Sequence, residues 1–177
     1  MTQRAAKKLQ EIISAHRPRH VLLAGFSGGL KENQCLGDIC LPDAFYCAGE
    51  NVRQSAACGR DIYGALKSHL QSKNIPLLKE RLQISVPGLA SVSEKRRWGN
   101  TYPDGCGLDM ESYALAKICS ESGIAFTCVR VILDEVGQEV PCWSNLAWTF
   151  WTLPAWVGRV RYAAKNLAVA VQGVIGK

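Results

Sequence analysis

Apolar positions along the chain alternate between helical spacing and short continuous runs. Residues 2–16 carry Ala5, Leu9, Ile12 and Ile13 at helical spacing and are stopped by Pro18, which predicts a helix. HVLLAGF (20–26) is a short apolar run bounded by turn residues, the pattern of a buried strand. SGGL (27–30) then reads as a tight turn. GDICLP (37–42) and RLQISVP (81–87) predict two more short strands, the second ended by Pro87-Gly88. Residues 52–73 place Ile62, Leu66, His69 and Leu70 on one side of a helix. Residues 89–98 read as a loop or short helix, 135–152 as an irregular aromatic stretch, and about 154–174 as a last helix. No internal repeat, low-complexity tract or linker is visible.

The most structured stretch is 105–134. Two apolar runs, GCGLDM (105–110) and AFTCVRVIL (125–133), flank a helix-like segment and end on carboxylates, Glu111 and Asp134. As a helix, residues 111–122 span about 18 Å; as a strand, residues 125–133 span roughly 30 Å. That length is enough to return and start a parallel neighbour, by a crossover of right-handed sense. Both acids then follow the C-terminal ends of their strands and share one sheet edge, where open α/β folds place their chemistry. Taken singly, Glu111 is a helix-start acid favoured by the helix dipole and Asp134 a loop-entry acid. Strands alternating with helices give an α/β fold with a largely parallel sheet.

With 177 residues the chain is one domain, or most of one, and a domain of this size buries roughly 70% of its unfolded surface. Apolar content of 47% and charged content of 20% describe an ordinary globule. The net charge of +6 comes in short clusters such as Lys7-Lys8 and Lys95-Arg96-Arg97. It fits a solvated basic face or an anionic substrate; no basic stripe interleaved with aromatics points to nucleic acid. The eight cysteines form no CxxC pair and only three histidines accompany them, so no zinc site is expected. Cys119 and Cys128 fall in apolar segments and are read as reduced core residues of a cytoplasmic protein, because the N-terminus has charges but no apolar signal region. No run of about 18 apolar residues exists to span a membrane.

LDMES (108–112) followed by VRVILD (129–134), with AGFSGGL (24–30) and GDI (37–39) ahead of them, resembles the purine nucleoside phosphorylase and nucleosidase superfamily. Within it, EKRR (94–97) and the proline- and tryptophan-containing tail look most like the hopanoid-associated phosphorylase branch. The resemblance covers roughly residues 5–135 and implies a three-layer α/β sandwich with a central, mostly parallel sheet, lacking the family's first strands. It also implies an enzyme that cleaves the N-glycosidic bond of a purine nucleoside-like compound, with no cofactor, inorganic phosphate as a co-substrate if the reaction is phosphorolysis, and a homo-oligomeric state. By matching position, Met110 packs against the sugar, Glu111 holds the ribose hydroxyls, and Asp134 protonates the purine. Gly25, Phe26, Ser27 and Gly28 belong to the loop near the phosphate or sugar. The physics fits: cleavage builds positive charge on the ribose and negative charge on the departing base, and a desolvated pocket can keep a carboxyl protonated.

The sequence departs from the family pattern in two places. It begins at the helix before AGFSGGL, so it is N-terminally short of the strands that carry the phosphate-binding glycines or the water-activating acid. Phe26 and Leu23 also stand where relatives have a phosphate- or sugar-binding serine and an arginine. Phosphorolysis and hydrolysis both stay open, and an inactive nucleoside-binding or scaffold protein is the alternative from another class. For single residues, Arg130 on a buried strand needs a partner and reads as a structural ion pair, while Ser112 reads as a helix-start hydroxyl. Ser27 reads as an anion donor or as part of a plain tight turn. The tail 142–156 holds four of the five tryptophans. It is either core packing, an apolar lid over a large substrate substituent, or a shallow membrane-surface contact.

Overall fold

The computed structural model describes residues 2–48, 52–55, 60–140 and 146–175. In chain order the elements are α1 (Thr2–His16), β1 (His20–Gly28), β2 (Ile39–Cys40), β3 (Ala44–Cys47), β4 (Val52–Ser55) and α2 (Arg60–Ser72). They continue with β5 (Leu82–Ser85), α3 (Val92–Thr101), β6 (Gly105–Asp109), α4 (Ser112–Glu121), β7 (Ala125–Asp134) and α5 (Leu146–Ile175). The strands form one sheet in the order β2-β7-β1-β6-β5-β3-β4. The longest ladder is parallel and runs from His20↔Ala125 to Gly28↔Asp134. The β3–β5 and β5–β6 ladders are also parallel, while β2–β7, β3–β4 and the single β1–β6 bridge are antiparallel.

Side chains alternate across the central strands and so divide the core between two faces. Phe126 and Cys128 of β7 and Val21 and Leu23 of β1 pack with Leu9 of α1 and with Tyr113, Leu115, Ala116 and Cys119 of α4. Val129 and Val131 of β7 and Leu22 of β1 pack on the other face with Leu66 and Leu70 of α2 and with Ala163 and Ala170 of α5. Helices on both faces of a mixed, mainly parallel sheet give the expected three layers. Covered on both faces, β1 and β7 read as continuous apolar runs. A third cluster seats Trp98 of α3 and its C-cap residue Tyr102 against β3, β5 and β6.

Several boundaries differ from expectation. The two strands of the 105–134 crossover are not neighbours, because β1 is inserted between β6 and β7; the connecting segment is long enough to skip one strand. Residues 52–55 are a strand rather than the start of a helix, and α2 begins at Arg60. AFYC (44–47), too short to show a period, is a strand as well. The second predicted strand shrinks to Ile39–Cys40, and Ser27 and Gly28 continue β1 instead of turning. Residues 92–101 form a full helix opened by a capping box, in which Ser91 accepts from the Glu94 amide and Glu94 reaches back. The last helix starts at Leu146, before Pro154, which costs it one backbone hydrogen bond. Residues 142–145, and the side chains of 146–152, lie outside the described set, and with them most of the tryptophan-rich tail.

Candidate active site

The C-terminal ends of β1, β6 and β7 converge at Gly28, which pairs with Leu108 on one side and Asp134 on the other. Above them lies a cavity of about 390 Å³ lined by Gly25, Phe26, Ser27 and Gly28 from β1, by Met110 and Glu111 after β6, and by Arg130 and Asp134 of β7. Lys95 of α3 and Val86, Leu89, Ala90 and Val140 complete the wall. All seven site residues expected from the sequence therefore line one cavity.

Asp109 organises the half of the cavity next to Glu111. Its Oδ1 accepts the backbone N–H groups of Glu111 (3.1 Å) and Ser112 (3.2 Å) and the Ser85 hydroxyl (2.8 Å). Its Oδ2 accepts the Ser112 hydroxyl and the Arg130 guanidinium, the latter at 2.8 Å. Arg130 donates further to Ser112 Oγ from Nε (3.2 Å) and Nη2 (2.9 Å), so it is the structural ion pair expected of a charge on a buried strand. Burial alone would lower the Arg130 pKa, but the carboxylates of Asp109 and Glu111 raise it overall, and the guanidinium stays charged. The Cys128 thiol, pushed up to about 12 chiefly by burial, stays protonated. Gly25 makes room for this arginine, since a Cβ there would run into Nη1 and stand 3.4 Å from Cζ. With its amide tied down, Glu111 opens α4 while its own side chain caps nothing. The carboxylate is left half-buried in the cavity wall.

Asp134 defines the opposite half. It is 5% exposed, and its main-chain carbonyl accepts the Gly29 N–H at 2.7 Å. Its Oδ2 is ion-paired with Lys95, which also donates to the carbonyls of Glu135 (3.1 Å) and Gln138 (2.6 Å). Desolvation raises the Asp134 pKa above the ordinary carboxylate value, against the opposing pull of Lys95 and Arg159. The environment therefore favours a protonated carboxyl more than water does.

Sequence reasoning missed Lys95 and Asp109. The motif in front of Asp109 drew attention to Glu111, and EKRR read as a surface charge cluster. The register of α3, with Trp98 and Tyr102 packed inward, was the only signal that Lys95 points in. The Ser27 hydroxyl, read as an anion donor or as part of a plain tight turn, is used internally: it donates to the Leu108 carbonyl (2.9 Å) and accepts from Gln83 (2.9 Å). Phe26 and Leu23 join the apolar clusters on opposite faces of the sheet.

No group of three or more His, Cys, Asp or Glu side chains among the described residues could hold a metal ion. Cys35, Cys40, Cys47, Cys106, Cys119 and Cys128 are free thiols. No helix among the described residues is long and apolar enough to cross a membrane.

Comparison with known proteins places the chain among relatives. The sequence pattern of the phosphorylase superfamily matches residues 2–171. A 5'-methylthioadenosine/S-adenosylhomocysteine nucleosidase of Staphylococcus aureus (strain MRSA252) is 21% identical over 72% of this chain and 62% of its own length. A nucleosidase of the same description from Marinomonas sp. (strain MWYL1) is 22% identical over 77% and 65%. The chain thus spans less than two thirds of these curated relatives. Among solved structures, the Neisseria meningitidis 5'-methylthioadenosine/S-adenosylhomocysteine nucleosidase in complex with methylthio-immucillin-A has a TM-score of 0.77 at 17% identity, covering 98% of this chain and 76% of that one. Futalosine hydrolase of Helicobacter pylori has a TM-score of 0.74 at 14% identity, with the same coverage. These structures share the fold.

Proposed function

The chain belongs to the phosphorylase superfamily, and on that premise we propose that it cleaves the N-glycosidic bond of a purine nucleoside, with Asp134 as the acid at the base and Glu111 as the ligand of the ribose hydroxyls. The observation that carries this reading is one cavity holding two carboxylates in opposite conditions. Asp134 is desolvated, with its pKa raised by burial. Glu111 is half-buried and free of a capping bond.

In this reading the base lies toward Asp134 and the sugar between Met110 and Glu111. As the C1'–N9 bond breaks, its electron pair moves into the purine, the Asp134 carboxyl passes its proton to N7, and water or inorganic phosphate bonds to C1'. Glu111 accepts hydrogen bonds from the ribose hydroxyls and faces the positive charge growing on the sugar. General acid catalysis is worth about 10²–10⁴-fold, or roughly 3–5 kcal/mol of barrier. The relatives' descriptions as nucleosidases and a hydrolase suggest 5'-methylthioadenosine as the first substrate to try. A size of about 390 Å³ suits a nucleoside.

The test is adenine release from 5'-methylthioadenosine by wild type, Asp134→Asn and Glu111→Gln, each with and without inorganic phosphate. We expect a loss of about 10²-fold or more in kcat for Asp134→Asn and a raised KM for Glu111→Gln. Phosphate dependence separates phosphorolysis from hydrolysis. Equal rates in all three proteins would reject these roles, and nucleoside binding without any base release would favour an inactive binding protein.

A further inference from the structure

One charged residue in the cavity wall has no task in the mechanism above. Lys95 lies in the middle of α3, 2% exposed. A buried ammonium needs a partner for each of its three N–H groups, and Lys95 has three: Asp134 Oδ2, the Glu135 carbonyl and the Gln138 carbonyl. Two belong to the main chain that leaves β7, and the third is the carboxyl assigned above to the base. With all three donors committed, Lys95 has none left for a ligand, so anything it does for the reaction passes through Asp134.

The placement is built from several sides. The Ser91–Glu94 capping box fixes the start of α3. Gly99 lets the helix close onto the Leu30 main chain, where a Cβ would collide with the carbonyl oxygen and lie 3.1 Å from its carbon. The Leu30 amide is in turn held by Gln34, which also donates to the Gly105 carbonyl. From the opposite side, Arg159 of α5 donates to the Leu133 carbonyl and the Glu135 carboxylate, each at 3.3 Å. The charged groups around Asp134 are therefore Lys95 from α3, Arg159 from α5 and Glu135 beside it in the chain. Of these, Lys95 is the one ion-paired with the carboxyl.

We propose that Lys95 is a positioning residue for the acid at the base: it fixes one oxygen of the Asp134 carboxyl and stabilises the carboxylate that remains when the proton has passed to the purine. The proposal rests on the assignment of Asp134 made above. The proton moves from the Asp134 carboxyl to N7, the C1'–N9 electron pair goes to the base, and the resulting anion is formed in contact with a fixed cation. Water or inorganic phosphate bonds to C1' and completes the sugar product. Burial raises the Asp134 pKa and so favours its protonated form, while Lys95 favours the departure of the proton during reaction. The two influences are opposed, and both come from elements outside the motif that carries Asp134.

The experiment compares kcat and KM across pH 5–9, with 5'-methylthioadenosine, for wild type, Asp134→Asn, Lys95→Gln and Lys95→Met. Activity requires protonated Asp134, so it falls as pH rises through the carboxyl's titration. Removing the ammonium is expected to move that alkaline limb upward by about one to three pH units. It should lower the plateau kcat about 10- to 100-fold and leave KM within about twofold. A limb that does not move, or an effect confined to KM, overturns the proposal. If Asp134→Asn keeps the wild-type rate, or wild type releases no base from any purine nucleoside, the underlying assignment fails and takes the proposal with it. If Asp134→Asn is slow while both Lys95 variants keep the wild-type limb, only the role of Lys95 falls. Thermal melts of Lys95→Met, Asp134→Asn and the double variant provide a readout independent of turnover. A coupled pair makes the double variant less destabilised than the sum of the singles, and strict additivity refutes the pairing.

Discussion

Replacing Asp109 by asparagine preserves shape and removes one charge from the centre of the network around Arg130. In the wild type its two oxygens serve five donors: two backbone amides, two hydroxyls and the Arg130 guanidinium. Asparagine has a single acceptor oxygen, and its NH₂ would face groups that also donate. If the oxygen stays with the Glu111 and Ser112 amides, the guanidinium loses its counter-charge at a place where both side chains are only 5% exposed. Stranding one member of a buried pair costs about 3–5 kcal/mol, against 1 kcal/mol or less for an exposed pair. At 177 residues each kcal/mol lowers Tm by about 2–4 °C, so the expected drop is roughly 6–20 °C. Thermal melts followed by circular dichroism, with urea titrations to confirm an unchanged slope, measure it. The double variant Asp109→Leu/Arg130→Met should recover part of the loss, because no charge is then left unpaired. A drop below about 2 °C, or a double variant as unstable as the sum of the singles, would refute the view that this pair supports the site.

Two further outcomes follow from the packing and the charges. Gly99→Ala drives a methyl group into the Leu30 main chain and should cost about 1–3 kcal/mol. Activity should fall further than stability alone explains, because α3 carries Lys95; wild-type turnover by a folded Gly99→Ala protein would contradict that link. Glu80 pairs with Lys31 at 2.9 Å; burial tends to raise its pKa, but the Lys31 hydrogen bond and charge lower it overall. A depressed carboxyl pKa contributes stability above the unfolded value, ordinarily 4.5, and that contribution is lost as pH falls through the folded value. Glu80→Gln should therefore be less stable than wild type by about 1 kcal/mol or less at pH 7. The gap should close on acidification, and a gap that widens would show the sign to be wrong.

The sequence revealed those parts of the fold that depend on local pattern. β1 and β7 were legible because strands covered on both faces are apolar throughout, and α1 because Leu9 and its neighbours repeat with the helix. The partner of each strand was not legible. Nothing local says that β1 separates β6 from β7, since strand order is decided by pairings between distant segments. The short strands β3 and β4 lack the length to show a period. In the site, Glu111 and Asp134 stood out because each ends an apolar run. Asp109 stayed hidden one step before Met110, since its role comes from the amides that turn back onto it. Lys95 stayed hidden because a lysine between charged neighbours looks solvated until the helix is docked.

The pairing of β1 with β7 joins segments about a hundred residues apart in the chain, and this bears on how the protein is made. At a synthesis rate of about 5–20 residues per second, β1 leaves the ribosome some 5–20 s before its parallel partner exists. Throughout that interval Val21, Leu22 and Leu23 form an apolar strand with no sheet to join. Long-range pairing of this kind also folds slowly once the partner arrives. The cavity, whose floor is the meeting of these two strands at Gly28 and Asp134, is thus among the last features to form. The yield of folded protein in a heterologous host should therefore rise when growth is slowed at lower temperature.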